Sequence, residues 1–411
     1  MAKKQTHLFH PEYRHDIDGL RAVAVLSVVG YHAFPNFVRG GFIGVDVFFV
    51  ISGYLITKII FENLYSGNFS FIDFYVRRIK RIFPSLILVL VTCFTFGWFV
   101  LLADEYKQLG KHIAAGTVFI SNFILWNEAG YFDESADTKP LLHLWSLGIE
   151  EQFYILWPLF LWCAWKYKLN TLIFIITVAI GSFVLNIKGL ERDIVATFYS
   201  PQTRFWELLS GSILAWFNLY KKEDLANVKL INDFFLLRIL YYERHEAVKK
   251  TLRNLLSFVG VLLLVYGFWR IDPELPYPGK WALVPVLATT LIIAAGSKSW
   301  INQVVLSNKV VVWFGLISFP LYLWHWPLLT FARIVLSESP SLEIRSAAVI
   351  LSTLLASLTY KFIEHPLRFS QNGIIRVAFL VILMVIIGYV GYITFLHSGL
   401  SFRTVNLLNY H

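Results

Sequence analysis

The sequence is poor in charged residues and in cysteine. Asp, Glu, Lys and Arg make up 15% of the 411 residues, whereas 57% are hydrophobic and 17% are aromatic. A mean hydropathy of +0.60 excludes an ordinary soluble domain and is typical of an integral membrane protein. The two cysteines, Cys93 and Cys163, lie in apolar stretches, which argues against a disulfide framework, a zinc site or a thiol nucleophile.

The sequence also lacks the marks of several other protein classes. It has no evident internal repeat and no linker rich in glycine and serine. The first apolar stretch lacks a cleavage site of small residues, so we expect an uncleaved helix rather than a signal peptide. The net charge of +9 is better explained by basic cytoplasmic loops than by nucleic-acid binding, and no nucleic-acid partner is expected.

Long apolar runs are the dominant feature of the chain, as at 84–102, 171–187 and 377–396. Such runs favour membrane-spanning helices. We predict an all-α integral membrane protein, a polytopic helical bundle with about ten core spans plus one extra C-terminal span. The predicted spans are 18–36, 42–62, 82–102, 141–165, 171–187, 204–220, 252–270, 281–296, 311–332, 346–363 and 375–396.

The distribution of basic residues predicts the orientation. The cluster from Arg77 to Arg81 should be cytoplasmic, which places the N-terminus in the cytoplasm and the C-terminus outside. The short apolar run 113–126 fits this topology only as a re-entrant or interfacial segment. We therefore expect a transmembrane domain over 1–370, followed by an additional helix and a short extracytoplasmic tail over 371–411.

The first span carries ionisable residues, which are costly inside a membrane and mark candidate functional sites. Arg21 and His32 are eleven residues apart. On a helix this spacing places both side chains on one face, about 16 Å apart along the axis. The competing interpretation is an arginine that reaches the membrane interface and a histidine that bonds a neighbouring helix.

Six strings occur in a fixed order along the chain: R-x10-H (Arg21 to His32), GVDVFFVISGY, RRIKRIFP, HLWSLGIEEQFYILWP, SPQTRFWELLSG and LYLWHWP. With this set, residues 14–368 resemble the acyltransferase-3 family of membrane O-acyltransferases, which includes bacterial O-antigen and peptidoglycan O-acetylases. The resemblance implies transfer of acetyl from cytoplasmic acetyl-CoA to a hydroxyl of an extracytoplasmic glycan, such as lipopolysaccharide O-antigen, at the bacterial inner membrane. Many relatives carry an SGNH-type domain after an eleventh helix. We expect that module to be either missing from this form or supplied by another chain.

The resemblance also implies roles for particular residues. It makes His32 essential, either as the base or as a transient acyl carrier, and it assigns the CoA phosphates to Arg78 and Arg81. Arg77 and Arg21 lie at the same predicted cytoplasmic mouth, and guanidinium groups bind phosphate through paired hydrogen bonds. The alternative for this cluster is a simple cytoplasmic anchor. No metal is expected.

A catalytic base needs a partner that orients it. Asp46 is the predicted partner of His32, because both lie near the outer ends of a helix pair joined by a short turn. Asp18 lies about 21 Å from His32 by helical rise, beside Arg21, and is assigned with it to the donor site. Ser52 belongs to a family motif and is assigned to the donor site, although a packing role suits it better than that of a nucleophile.

Glu150 and Glu151 are further catalytic candidates. The resemblance implies that this pair acts in catalysis or in handling the acceptor. Adjacent helical residues point about 100° apart, so at most one of the two faces a given cavity. An ion pair with Arg204 is the competing interpretation, and Arg204 and Glu207 are themselves spaced to pair on one helix.

Two other functions fit parts of the pattern. A transporter or flippase for lipid-linked sugars would also have many spans and buried charges, but it would not consume acetyl-CoA. A haem-binding electron carrier could use His32, His112, His143 and His325. For His325, which lies among aromatic residues, packing is favoured over chemistry.

Overall fold

The computed structural model describes residues 13–129, 136–219, 246–369 and 373–403. Within these ranges the regular structure is entirely helical, without a strand. The prediction of an all-α protein is therefore confirmed.

The helices of the first part of the chain are α1 His15–Ala33, α2 Gly44–Tyr65, α3 Phe71–Val100, α4 Ala103–Thr117, α5 Ser121–Glu128, α6 Leu144–Lys166, α7 Thr171–Leu190, α8 Ile194–Tyr199 and α9 Pro201–Leu219. The helices that follow are α10 Glu246–Arg270, α11 Leu283–Ala295, α12 Lys309–Leu316, α13 Ser318–Leu336, α14 Leu342–Thr359, α15 His365–Arg368 and α16 Gly373–Leu396. A π-helical turn, Tyr360–Glu364, joins α14 to α15.

Several described helices are long and apolar enough to cross a membrane. Among the described residues six helices meet this test, and a seventh span results if the consecutive helices α12 and α13 count as one broken span. The six are Gly41–Tyr65, Phe71–Val100, Thr171–Leu190, Ala247–Arg270, Leu342–Arg368 and Gly373–Leu396. These helices indicate a multi-pass membrane protein, whereas the ten core spans and the additional span remain a prediction.

The predicted re-entrant run 113–126 is interrupted. Helix α4 ends at Thr117 and α5 begins at Ser121, and between them Phe119 adopts a left-handed backbone with φ of 58°. With 15 and 8 residues, both helices are shorter than the ~20 residues of a full crossing. The predicted acidic loop (127–139), the charged loop (221–251) and the tail lie partly outside the described residues.

The chain divides into two compact units that alternate along the sequence. Unit 1 takes the described parts of Met1–Tyr31, Pro35–Phe69 and Phe153–Leu316. Unit 2 consists of the described parts of His32–Phe34, Ser70–Gln152 and Ile317–His411. Helix α1 therefore begins in unit 1, and its last two residues, His32 and Ala33, belong to unit 2.

In unit 1, helices α2 and α9 approach each other closely through two glycines. A methyl group on Gly53 would lie 1.8 Å from the Leu208 carbonyl oxygen, and one on Gly211 would lie 2.0 Å from the Val50 carbonyl oxygen. Only glycine allows such contact between two backbones. Both glycines come from family motifs, which therefore include residues needed for packing.

In unit 2, Arg403 closes the end of α3. Its guanidinium donates to the backbone carbonyls of Trp98 at 2.8 Å and Leu101 at 3.1 Å, and it lies 3.7 Å from the ring centroid of Tyr106. These carbonyls are among the last four of the helix, which lack partners inside it. Arg403 thus stabilises the end of α3 with a side chain distant in sequence.

Candidate functional site

His32 lies at the end of α1, where Pro35 follows shortly and Arg345 donates to the Ala33 carbonyl at 3.0 Å. Its Nδ1 atom is 2.9 Å from Nε2 of His325. The two rings are stacked, with centroids 5.2 Å apart and an angle of 11° between their planes. His32 as a whole residue is partly exposed.

His325 lies on α13 and is fully buried. Its Nδ1 atom is 3.2 Å from the carbonyl oxygen of Leu321, one turn earlier on the same helix. The indoles on either side of it in sequence are also held in place. Trp324 donates to Oγ1 of Thr359 at 3.0 Å, and Trp326 donates to the Lys139 carbonyl at 2.8 Å.

The sequence favoured a packing role for His325, and its burial agrees with that. The hydrogen bond to His32 was not predicted. The two residues are 293 positions apart, so no local spacing points to this contact.

A third histidine, His143, lies next to the pair just before α6. Its ring centroid is 5.8 Å from that of His325 and 5.4 Å from that of Tyr322. Tyr322 donates to the His143 carbonyl at 2.8 Å, and its hydroxyl is 2.6 Å from Oγ of Ser146. We call His32, His143, Ser146, Tyr322 and His325 the histidine cluster.

The histidine cluster does not have the geometry of a metal or haem site. Because Nδ1 of His32 and Nε2 of His325 are in direct hydrogen-bond contact, no ion fits between these two atoms. No group of three or more His, Cys, Asp or Glu side chains placed to hold a metal ion occurs in the described ranges. His112, also considered for haem, pairs instead with Glu128.

Glu151 is the more buried member of the acidic pair on α6, with 6% of its surface exposed, whereas Glu150 is partly exposed. The charges of Arg78 and Arg81, on α3, act on the Glu151 carboxyl within unit 2. Both arginines are partly exposed, so they retain access to a ligand. Arg77, on the same helix, is also partly exposed.

Asp46 lies in a buried ionic cluster of unit 1. Its Oδ1 atom accepts a hydrogen bond from Arg204 at 3.0 Å, and its Oδ2 atom accepts one from the Tyr277 hydroxyl at 2.6 Å. Nε of Arg204 is also 3.2 Å from Oε1 of Glu207, which confirms the pairing expected from their spacing. The Nδ1 partner that the structure gives to His32 is thus His325, while both oxygens of Asp46 are bound in unit 1.

The charged start of α1 also belongs to unit 1. Arg21 and Asp18 form an ion pair within one helical turn, with 3.4 Å between Nη1 and Oδ1. The other carboxylate oxygen of Asp18 accepts from the Tyr13 hydroxyl at 2.5 Å. Ser52 is half-buried on α2.

A second polar cluster in unit 2 surrounds Glu128. Its carboxylate lies 2.7 Å from Nζ of Lys111, 3.0 Å from Nζ of Lys139 and 3.1 Å from Nε2 of His112. Burial opposes the ionisation of Glu128, but the hydrogen bonds and charges of these neighbours outweigh it and hold its pKa well below the usual range. The Glu128 carboxylate therefore stays ionised at neutral pH.

Unit 2 also contains an apolar cavity of about 780 Å³ between α3, α13 and α14. Cys93, Trp324 and Phe331 are among its lining residues, and none of the lining side chains is charged. Such a cavity does not suit a ligand that carries phosphates. Both cysteines are free, which agrees with the interpretation of Cys93 as a small hydrophobic residue.

Comparison with known proteins agrees with the motif pattern. A family profile described as "Acyltransferase domain" matches residues 14–393. The chain belongs to the acyltransferase-3 family. No solved structure matches the chain.

Several curated bacterial proteins are similar to this acyltransferase-3 chain. YrhL of Bacillus subtilis is 35% identical over 374 residues, which is 87% of this chain and 55% of that protein. The peptidoglycan O-acetyltransferase OatA of Listeria monocytogenes is 31% identical over 383 residues, covering 91% of this chain and 58% of OatA. The O-acetyltransferase OatA of Staphylococcus aureus is 30% identical over 389 residues, covering 92% of this chain and 60% of OatA. The chain thus spans less than two thirds of the length of these relatives.

Proposed function

We propose that the chain is a membrane O-acetyltransferase that moves acetyl from acetyl-CoA to a hydroxyl of a cell-envelope glycan. The observation that carries the proposal is the His32 ring, bonded through Nδ1 to a buried histidine, in a member of an acyltransferase family. An imidazole whose orientation is fixed through one ring nitrogen is a suitable base near neutral pH.

Peptidoglycan is the proposed acceptor to test first. The name of the Listeria relative states peptidoglycan O-acetylation, whereas no relative compared here is named for the O-antigen. We further propose the bacterial inner membrane as the location, with a cytoplasmic N-terminus and an extracytoplasmic C-terminus, because basic residues favour that orientation. An SGNH-type module is a proposed partner.

The donor is proposed to bind through its phosphates to Arg78 and Arg81. Guanidinium groups match phosphate oxygens in geometry and charge, and both arginines are partly exposed. Arg77, and in unit 1 Asp18, Arg21 and Ser52, stay predictions for donor binding.

In the proposed step, Nε2 of His32 takes the proton of the acceptor hydroxyl while the hydroxyl oxygen attacks the thioester carbonyl carbon. The C–O bond forms, the C–S bond breaks, and the proton passes from the imidazolium to the leaving CoA thiolate. In the other route, Nε2 itself attacks the carbonyl, and the acetyl group on nitrogen then passes to the hydroxyl. Labelled acetyl trapped on the protein in the absence of acceptor would identify the second route.

The test is CoA release and acetylated product formed by purified protein in a membrane mimetic, supplied with acetyl-CoA and peptidoglycan fragments. His32→Ala should lose turnover by a factor of about 100 or more while still binding CoA. His397→Ala, a change at an exposed histidine of unit 2, is the matched control and should keep turnover. Full turnover by His32→Ala would refute the proposed role, and movement of lipid-linked sugar without acetyl-CoA use would favour a transporter.

A further inference from the structure

The hydrogen bonds of the histidine pair fix where its protons lie. The Leu321 carbonyl can only accept a hydrogen bond, so the proton of a neutral His325 ring lies on Nδ1, which faces that carbonyl at 3.2 Å. Nε2 of His325 then carries the lone pair. It lies 2.9 Å from Nδ1 of His32, so the proton between the two rings belongs to His32. The remaining nitrogen of His32, Nε2, consequently carries the lone pair.

We infer that His325 is a positioning residue that holds His32 in the tautomer with its proton on Nδ1 and its lone pair on Nε2. This inference rests on the proposed acyl transfer, in which Nε2 of His32 takes the proton of the acceptor or attacks the thioester. With the proton on Nε2 instead, the same ring could do neither.

The two histidines of the pair differ in burial, which suits them to different roles. His325 is fully buried, whereas His32 is partly exposed, so of the two residues His32 is the better placed to meet a substrate. Trp326 packs edge-on against His32 with 4.5 Å between centroids, and the carbonyl of Lys139 holds its indole. The ring of His32 is therefore fixed in angle as well as in protonation.

The partner of His32 in this arrangement is a neutral imidazole, whereas familiar catalytic triads use a carboxylate. A neutral partner sets the tautomer by accepting one hydrogen bond, and it adds no negative charge beside the base. A substitution of His325 should therefore preserve the tautomer of His32 only if it keeps a hydrogen-bond acceptor at the position of the His325 Nε2 atom. Glutamine offers a carbonyl oxygen near that position, and phenylalanine offers ring volume without any acceptor.

The experiment compares His325→Phe with His325→Gln in kinetics and in NMR of ¹⁵N- and ¹³C-labelled histidine, after melting temperatures show that each variant is folded. In the wild type, the His32 signals should report a protonated Nδ1 and an unprotonated Nε2. In His325→Phe, this preference should be lost and kcat should fall about 100-fold with the KM for acetyl-CoA unchanged. In His325→Gln, the tautomer should persist and kcat should stay within about tenfold of wild type.

Each contrary result has a distinct meaning. A wild-type His32 with its proton on Nε2 overturns the inference whatever the variants do. So does a folded His325→Phe with normal kcat, or an equal loss in both variants with the His32 tautomer unchanged, which would indicate packing alone. His143→Gln is the matched NMR control, because His143 contacts the His325 ring outside the hydrogen-bond chain, and it should leave the tautomer unchanged. If His32→Ala keeps turnover, the proposed function fails even where the NMR tautomer is as expected.

Discussion

The guanidinium of Arg204 binds the carboxylate of Asp46 at 3.0 Å, with 1% and 0% of the two side chains exposed. Arg204 also lies over the rings of Phe49, Phe198 and Tyr277 at 5.6–5.7 Å from their centroids. An ionic group in such surroundings has no water to replace a lost partner. The cluster therefore makes the stability of unit 1 depend on a single cation.

Arg204→Met should destabilise the protein by about 3–5 kcal/mol, because it leaves the carboxylates of Asp46 and Glu207 buried without their cation. Thermal unfolding in detergent measures the loss. Lys58→Met is the matched control: Lys58 lies 3.8 Å from Glu62 in a more exposed pair, so about 0.5 kcal/mol or less is expected. Equal losses of stability in the two variants would show that the buried Arg204 cluster contributes no more to the free energy of unfolding than the more exposed Lys58–Glu62 pair.

Gly53→Ala should prevent normal packing of α2 against α9, since the added methyl group would lie 1.8 Å from the Leu208 carbonyl oxygen. A lower melting temperature and a lower yield of folded protein are expected. In Gly181→Ala the methyl group meets nothing within 4 Å, and the change should raise helix stability by about 0.5–1 kcal/mol. A Gly53→Ala protein that melts like wild type would contradict the close approach.

Glu128→Gln should lower the melting temperature at pH 7, because Lys111 and Lys139 lose their common carboxylate. The pKa of Glu128 is lowered in the folded state. Its contribution to the free energy of unfolding is therefore complete above the ordinary glutamate pKa of about 4.3. That contribution declines as the pH falls further, toward the folded-state pKa. The difference in melting temperature between variant and wild type should therefore begin to narrow below about pH 4, and at about pH 3 it should be smaller than at pH 7 but still present. Glu338→Gln, at an exposed glutamate, is the control and should show no such narrowing.

Arg81→Gln should raise the KM for acetyl-CoA about tenfold, the effect of losing one charge-assisted hydrogen bond to phosphate. Initial rates at several donor concentrations separate this from a change in kcat. Arg376→Gln removes an exposed positive charge from the start of α16 and should leave the KM unchanged. A loss confined to kcat in Arg81→Gln would place Arg81 outside the donor site.

Local spacing in the sequence was enough to predict several parts of the structure. The helical class follows from the long apolar runs, and the Arg204–Glu207 pair follows from a spacing of three residues on one helix. The bond between His32 and His325 could not be predicted in this way, because its two residues are brought together only by packing. The same holds for Tyr277 and Asp46, which are 231 positions apart.

The break between α4 and α5 was also beyond the sequence pattern. The run 113–126 is mostly apolar, and nothing in its composition marks Phe119 as the residue that takes a left-handed backbone. Single-residue conformations of this kind are selected by surrounding contacts rather than by intrinsic preference.

The alternation of the two units has a consequence for biosynthesis. Unit 2 takes its segments from the beginning, the middle and the end of the chain, so His32 leaves the ribosome long before His325 is made. During that interval the first helix must persist without the ring that completes its hydrogen bond. Contacts between residues so distant in sequence form slowly, and domains of interrupted sequence cannot fold in the order of synthesis. The pair of His32 and His325 is therefore expected to form among the last steps of maturation, and a chain that ends before residue 325 should lack the hydrogen bond between the two rings.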